Sequence, residues 1–135
     1  MAREFSKHFI IAFVVFAVLD AIWLGLVAKS FYQTQIGFLL ADTPNWYAAG
    51  AFYIIFLIGL TVFVVTPAIR QKSLFSATLR GALFGLVTYA TYDLTNQATI
   101  KDWPPIVTLV DLIWGATVCA ITTLVSTWVG TRWAA

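Results

Sequence analysis

Residues 89–96 read Tyr-Ala-Thr-Tyr-Asp-Leu-Thr-Asn, placing a carboxylate, an amide, two phenols and two hydroxyls inside an otherwise apolar run. Polar groups in hydrocarbon need partners from within the protein. Two other apolar runs carry a carboxylate each: Asp20 in Val-Leu-Asp-Ala-Ile-Trp and Asp111 in Leu-Val-Asp-Leu-Ile-Trp. The stretch around Asp93 is therefore read as the third helix's share of one buried site, and that reading makes the run a membrane helix.

The rest of the chain fits. Of its 135 residues, 61% are hydrophobic and only 10% charged, with a mean hydropathy of +0.88. So few charges cannot solvate the surface of a soluble globule, and the composition predicts an all-α integral membrane protein. Four apolar runs, 8–28, 46–69, 81–100 and 105–130, are each about the 17–25 residues that cross a hydrocarbon core of ~30 Å. They predict a four-transmembrane-helix bundle that uses 1–135 as a single transmembrane domain. The first run follows Arg3 and Lys7 but continues past Asp20 to Lys29 without a small-x-small cleavage site, so it reads as a retained helix.

Charge sets the orientation. All Lys and Arg residues except Lys29 and Lys101 fall on the side that holds both termini, which predicts cytoplasmic termini by the positive-inside rule. The net charge of +2 follows from this bias and marks no nucleic-acid patch. Residues 30–45 suit an interfacial helix or an extension of span one, with a break at 42–45. Trp46 and Trp103, with Phe31 and Tyr32, are expected in an outer aromatic belt, and Phe5, Trp128 and Trp133 in an inner one. Span two reads as scaffold, with Gly50 and Gly59 as places of close helix approach. Pro104 and Pro105 fit the start of span four, where missing backbone donors are not needed.

With this orientation Asp20, Asp93 and Asp111 lie roughly 9–14 Å inside the outer ends of their helices at 1.5 Å per residue. Helical spacing gives each a neighbour: Trp23 beside Asp20, Trp114 beside Asp111, and Tyr89, Tyr92 and Asn96 around Asp93. A carboxylate facing lipid near mid-bilayer costs about 2.5 kcal/mol or more, so the three are expected to turn inward together. Lys29 or Lys101 could snorkel toward them.

The chain carries no glycine-rich phosphate loop, no Ser-His-Asp or Cys-His set and no dinucleotide fingerprint. Cys119 and His8 are each the sole residue of their kind and read as a small core residue and an interfacial residue, so no metal site is suggested. No cofactor is indicated. Carboxylates alone remain; they bind cations, relay protons or do acid–base work.

Leu-Asp-Ala-Ile-Trp-Leu-Gly (19–25), Thr-Tyr-Asp-Leu-Thr-Asn-Gln-Ala-Thr-Ile-Lys-Asp-Trp-Pro (91–104) and Val-Asp-Leu-Ile-Trp-Gly (110–115) together resemble domain-of-unknown-function family 2177 across essentially the whole chain. The resemblance implies a small bacterial inner-membrane protein and no established activity. Three functions stay open. The first is binding or passage of a small polar or cationic solute, or of protons, through the Asp/Tyr/Asn cluster. The second is a non-catalytic accessory or assembly subunit, in a homo-oligomer or a larger membrane complex. The third is an enzyme acting on lipid or isoprenoid chains. Against all three stands a purely structural role, in which the cluster pins the helices together.

Overall fold

The computed structural model describes residues 1–133, and every regular element among them is helical. Helix α1 spans Ala2–Val27, α2 Lys29–Ile36, α3 Trp46–Gln71, α4 Leu74–Thr99 and α5 Pro105–Trp133. Three of them, α1, α3 and α5, are long and apolar enough to cross a membrane. Helix α4 has 26 residues but carries Arg80, Asp93, Asn96 and a row of threonines, which lower its hydropathy. Those threonines do not leave polar groups open. Thr78, Thr88, Thr91 and Thr99 each donate to the carbonyl four residues back at 2.7–2.9 Å, and Thr95 does the same to Thr91.

The helix ends follow from local chemistry. Asn45 caps α3, its side chain accepting from the Ala48 amide at 3.1 Å, and Ser73 caps α4 by accepting from Ser76 at 3.2 Å. Between α3 and α4 the chain turns at Lys72, whose φ of 55° ends one helix before the next begins. Pro105 opens α5, as its missing amide predicts. Two helices contain π turns, Trp23–Val27 in α1 and Thr61–Val65 in α3. After α2 comes a short 3₁₀ turn at Gly37–Leu39, so the predicted interfacial segment is helical up to the break. All four long helices start or stop beyond their apolar runs: α1 begins at Ala2, α3 ends at Gln71, α4 begins at Leu74, and α5 ends at Trp133.

The bundle is built on the antiparallel pair α4/α5. Ala77, Gly81, Gly85, Tyr89 and Asp93, four residues apart, form one stripe of α4 against Asp111, Gly115, Cys119 and Thr123 of α5. A Cβ at Gly81 would lie 2.5 Å from the Cys119 carbonyl oxygen, and one at Gly115 2.3 Å from the Tyr89 ring. Only residues without bulk allow this approach, and van der Waals contact is what holds helices together in lipid. The close-approach glycines are thus Gly81, Gly85, Gly115 and Gly130, not Gly50 and Gly59. Gly50 meets nothing within 4 Å, and at Gly59 the nearest atom is 3.7 Å away. Helices α1 and α3 close the half of the bundle away from the acids through Phe16, Phe56, Leu57, Leu60 and Val65 against Val118 and Cys119.

Candidate functional site

The small-residue stripe decides where the acids sit. Continuing the register that sets Gly81 on Cys119 and Tyr89 on Gly115 brings Asp93 to the level of Asp111 at the end of the seam. There the small residues stop, the helices no longer touch along their backbones, and a cavity of about 680 Å³ opens. It is bounded by α1, α2, the N-terminal half of α3, α4 and α5, and Asp20, Asp93 and Asp111 all line it. Its size falls within the ~300–1,000 Å³ of small-molecule sites.

Each acid meets a different environment. Asp20 is 8% exposed and accepts a short hydrogen bond from the Tyr53 hydroxyl of α3. Asp111, also 8% exposed, accepts one from the Tyr32 hydroxyl of α2, and Tyr32 in turn accepts from Trp23 Nε1 at 3.1 Å. Asp93 is fully buried and neither carboxylate oxygen has a donor, while the Asp111 carboxyl lies close enough to hydrogen-bond with it once one of the two acids carries a proton. Its backbone carbonyl is met by the Thr108 hydroxyl at 3.4 Å, and Thr108 also accepts from Trp103 Nε1 at 3.0 Å. An ionised carboxylate left this way in low dielectric is costly, so the Asp93 carboxyl either carries a proton or meets a cation.

The walls are aromatic. Trp23 and Trp114 stack face to face, with ring centroids 4.4 Å apart and 6° between planes. This pair joins α1 to α5. The expected neighbours therefore cross over: Trp23 reaches the Tyr32–Asp111 pair rather than Asp20, while Trp114 lies beside Asp20 with its indole N–H buried and unbonded. Tyr89 and Tyr92 line the cavity with Asp93, whereas Asn96, one turn further, lies by Tyr92 and outside the lining. Lys29 is the cation at the rim, and Lys101 is not part of it.

Several participants were assigned elsewhere by sequence. Tyr32 and Trp103 were expected in the outer belt; Tyr32 instead holds Asp111, and Trp103 is 7% exposed and packs on Ile36 and Val107. Trp46 is 71% exposed. Helix α3 is more than scaffold, since Tyr53 bonds Asp20 and Phe52 and Phe56 line the cavity. Nothing local marks Tyr32 or Tyr53, because each is one aromatic among many in an apolar or interfacial segment. The only available signal was that Asp20 and Asp111 needed donors. His8 is 6% exposed, with Nδ1 3.0 Å from the Thr66 hydroxyl.

Among the described residues no group of His, Cys, Asp and Glu has metal-binding geometry. What the arrangement offers is a buried carboxyl without a donor and two tyrosine-bonded ones in an aromatic chamber. Neither a curated protein nor a solved structure matches the chain. The family described as a predicted membrane protein, DUF2177, matches residues 5–128, nearly the whole length, and this chain belongs to that family.

Proposed function

We propose that the protein binds a small molecule bearing a protonated amine on a largely apolar body, held in the cavity with the amine at Asp93. The observation that carries this is the Asp93 carboxyl, without a donor to either oxygen, in the wall of a cavity lined by Trp, Tyr and Phe; both oxygens are covered, so an amine reaches them only as the side chain turns toward the cavity. A cation satisfies the acid, and the ring faces suit its positive charge. The test is binding of phenethylamine to the purified full chain, followed by tryptophan fluorescence. The reading expects saturable binding that weakens at least about tenfold in Asp93→Asn, since a lost charge-assisted bond is worth roughly 1.5–3 kcal/mol. Equal affinity in the variant would sink it.

A second reading rests on the other two acids. Asp20 and Asp111 each already hold a tyrosine from another helix, as polar pins would. If the whole cluster were only structural, Asp93→Asn would change unfolding and leave no ligand response to lose.

We further propose a four-span topology in a bacterial inner membrane, with both termini cytoplasmic. It is supported by the length of α4, its antiparallel packing on α5 and the internally bonded threonines, which make its polar face compatible with lipid. The bias of Lys and Arg toward the terminal side supports the orientation. Single cysteines introduced at Lys29 and at Lys72, in a Cys119→Ser background, should react with a membrane-impermeant maleimide from opposite sides. Labelling of both from one side would overturn the topology.

A further inference from the structure

We infer that the cavity opens sideways into the outer leaflet, between the outer halves of α3 and α4, and that its ligand is a long-chain amine taken from the bilayer. This rests on the reading of Asp93 as the amine's partner and adds where the ligand comes from and what its apolar body is.

Much of the cavity's water-facing side is covered, with the exposed Lys29, Gln33, Leu40 and Pro44 left along its rim. Helix α2 and the turn after it lie across it, and Ile36, Trp103 and Val107 form a separate buried apolar cluster there, backed by Phe31, Tyr32 and Ile100. Tyr32 ties this cover down to Asp111. A solute arriving from water thus meets a polar rim at Lys29 and Gln33, not an apolar entrance.

The lipid side is different. In the inner half α3 is packed into the bundle, with Leu57, Leu60 and Val65 wholly buried, and Phe56 meets Phe84 of α4 with centroids 5.6 Å apart. Above that pair α3 turns outward: Trp46 is 71%, Tyr47 94% and Phe52 51% exposed, while across from them Tyr92 of α4 is 59% exposed. Phe52 and Tyr92 nevertheless line the same cavity as Asp93. A side chain that both lines the chamber and faces lipid stands at its opening. The Phe56–Phe84 pair is the floor of that opening and Thr88 its inner edge.

The chemistry of the opening then selects the ligand. The chamber presents three carboxyls against one amine, that of Lys29, which favours a cationic head. The opening is apolar and level with acyl chains, so the tail of an amphiphile can stay in lipid while its head enters. Neutral or anionic lipids supply the same tail but no group for Asp93.

The experiment uses the full chain in nanodiscs and a hexadecylamine carrying a diazirine at mid-chain, competed with octadecylamine or with butylamine. The expected result is saturable photolabelling of residues in 46–60 and 88–95, abolished by octadecylamine and lost in Asp93→Asn. Butylamine should compete on the order of 100-fold more weakly, because it lacks the chain that the leaflet and opening hold. Thr88→Trp, which fills the inner edge, should remove the labelling while the protein keeps the unfolding midpoint of the wild type in mixed micelles. If butylamine competes as well as octadecylamine, or Thr88→Trp leaves labelling intact, the sideways opening is overturned and amine binding stands. Labelling spread evenly over all lipid-facing residues, or no binding of any amine, overturns both.

Discussion

Gly85 of α4 lies so close to Gly115 of α5 that a Cβ on Gly85 would stand 1.9 Å from the Gly115 carbonyl oxygen. No rotamer relieves that overlap, because the obstacle is backbone. Gly85→Ala must push the two helices apart and is expected to destabilise the protein by about 1–3 kcal/mol. Gly50→Ala has open space and should stabilise by up to ~1 kcal/mol through helix propensity alone. Reversible unfolding in mixed micelles gives both numbers, and loss of equal size at the two positions would show that the seam is not what sets the packing.

Tyr32→Phe removes the donor to Asp111 and the acceptor of Trp23 while keeping the ring. We expect a loss of about 0.6–2 kcal/mol. Proteolysis should rise first in residues 37–45, the segment that α2 anchors. Unchanged cleavage there, measured by limited digestion and mass spectrometry, would mean that α2 is held by its apolar cluster and not by this bond.

The Trp23–Trp114 stack should behave as a coupled pair. A cycle of Trp23→Leu, Trp114→Leu and the double variant is expected to give a coupling energy of about 0.5–1.5 kcal/mol. Additive effects, within ~0.3 kcal/mol, would show that the rings contribute only burial.

Cys119 is fully buried against α4, its β-carbon 2.9 Å from where a Cβ on Gly85 would stand. A small maleimide should therefore label it only when the α4/α5 pair separates. The labelling rate with increasing denaturant is expected to follow global unfolding, and Gly85→Ala should accelerate it by the factor that its stability loss predicts. Rapid labelling of the folded wild type would contradict the seam.

Hydropathy and spacing made the helices and the three acids legible before any coordinates. Asp20, Asp93 and Asp111 stood out because each is costly in an apolar run, and the structure gathers them around one cavity. The partners were not legible for a physical reason. A tyrosine in a membrane segment costs little whether it faces lipid, headgroups or an acid, so Tyr32 and Tyr53 carry no sign of their role. The α4/α5 seam is not legible for a related reason: Gly81 and Gly85 lie in the apolar run Gly-Ala-Leu-Phe-Gly-Leu-Val, where a small residue costs little whether it faces lipid or another helix. Asn96 was drawn in by helical adjacency, but the turn that carries it passes beyond the cavity.

The π turns at Trp23–Val27 and Thr61–Val65 carry a last implication. Each holds one residue more than an α-helical ladder would accommodate, so the helix beyond it is rotated by about a quarter turn relative to an unbroken one. Helices α4 and α5 have no such offset and are locked backbone to backbone. The chain is thus divided mechanically into a stiff half and a half with built-in slack, and Asp93 and Asp111 belong to the first while Trp23 belongs to the second. Shortening Trp23–Val27 by one residue would re-aim everything after it without touching an acid, which makes chain length in that turn, as much as side-chain identity, a determinant of the chamber's shape.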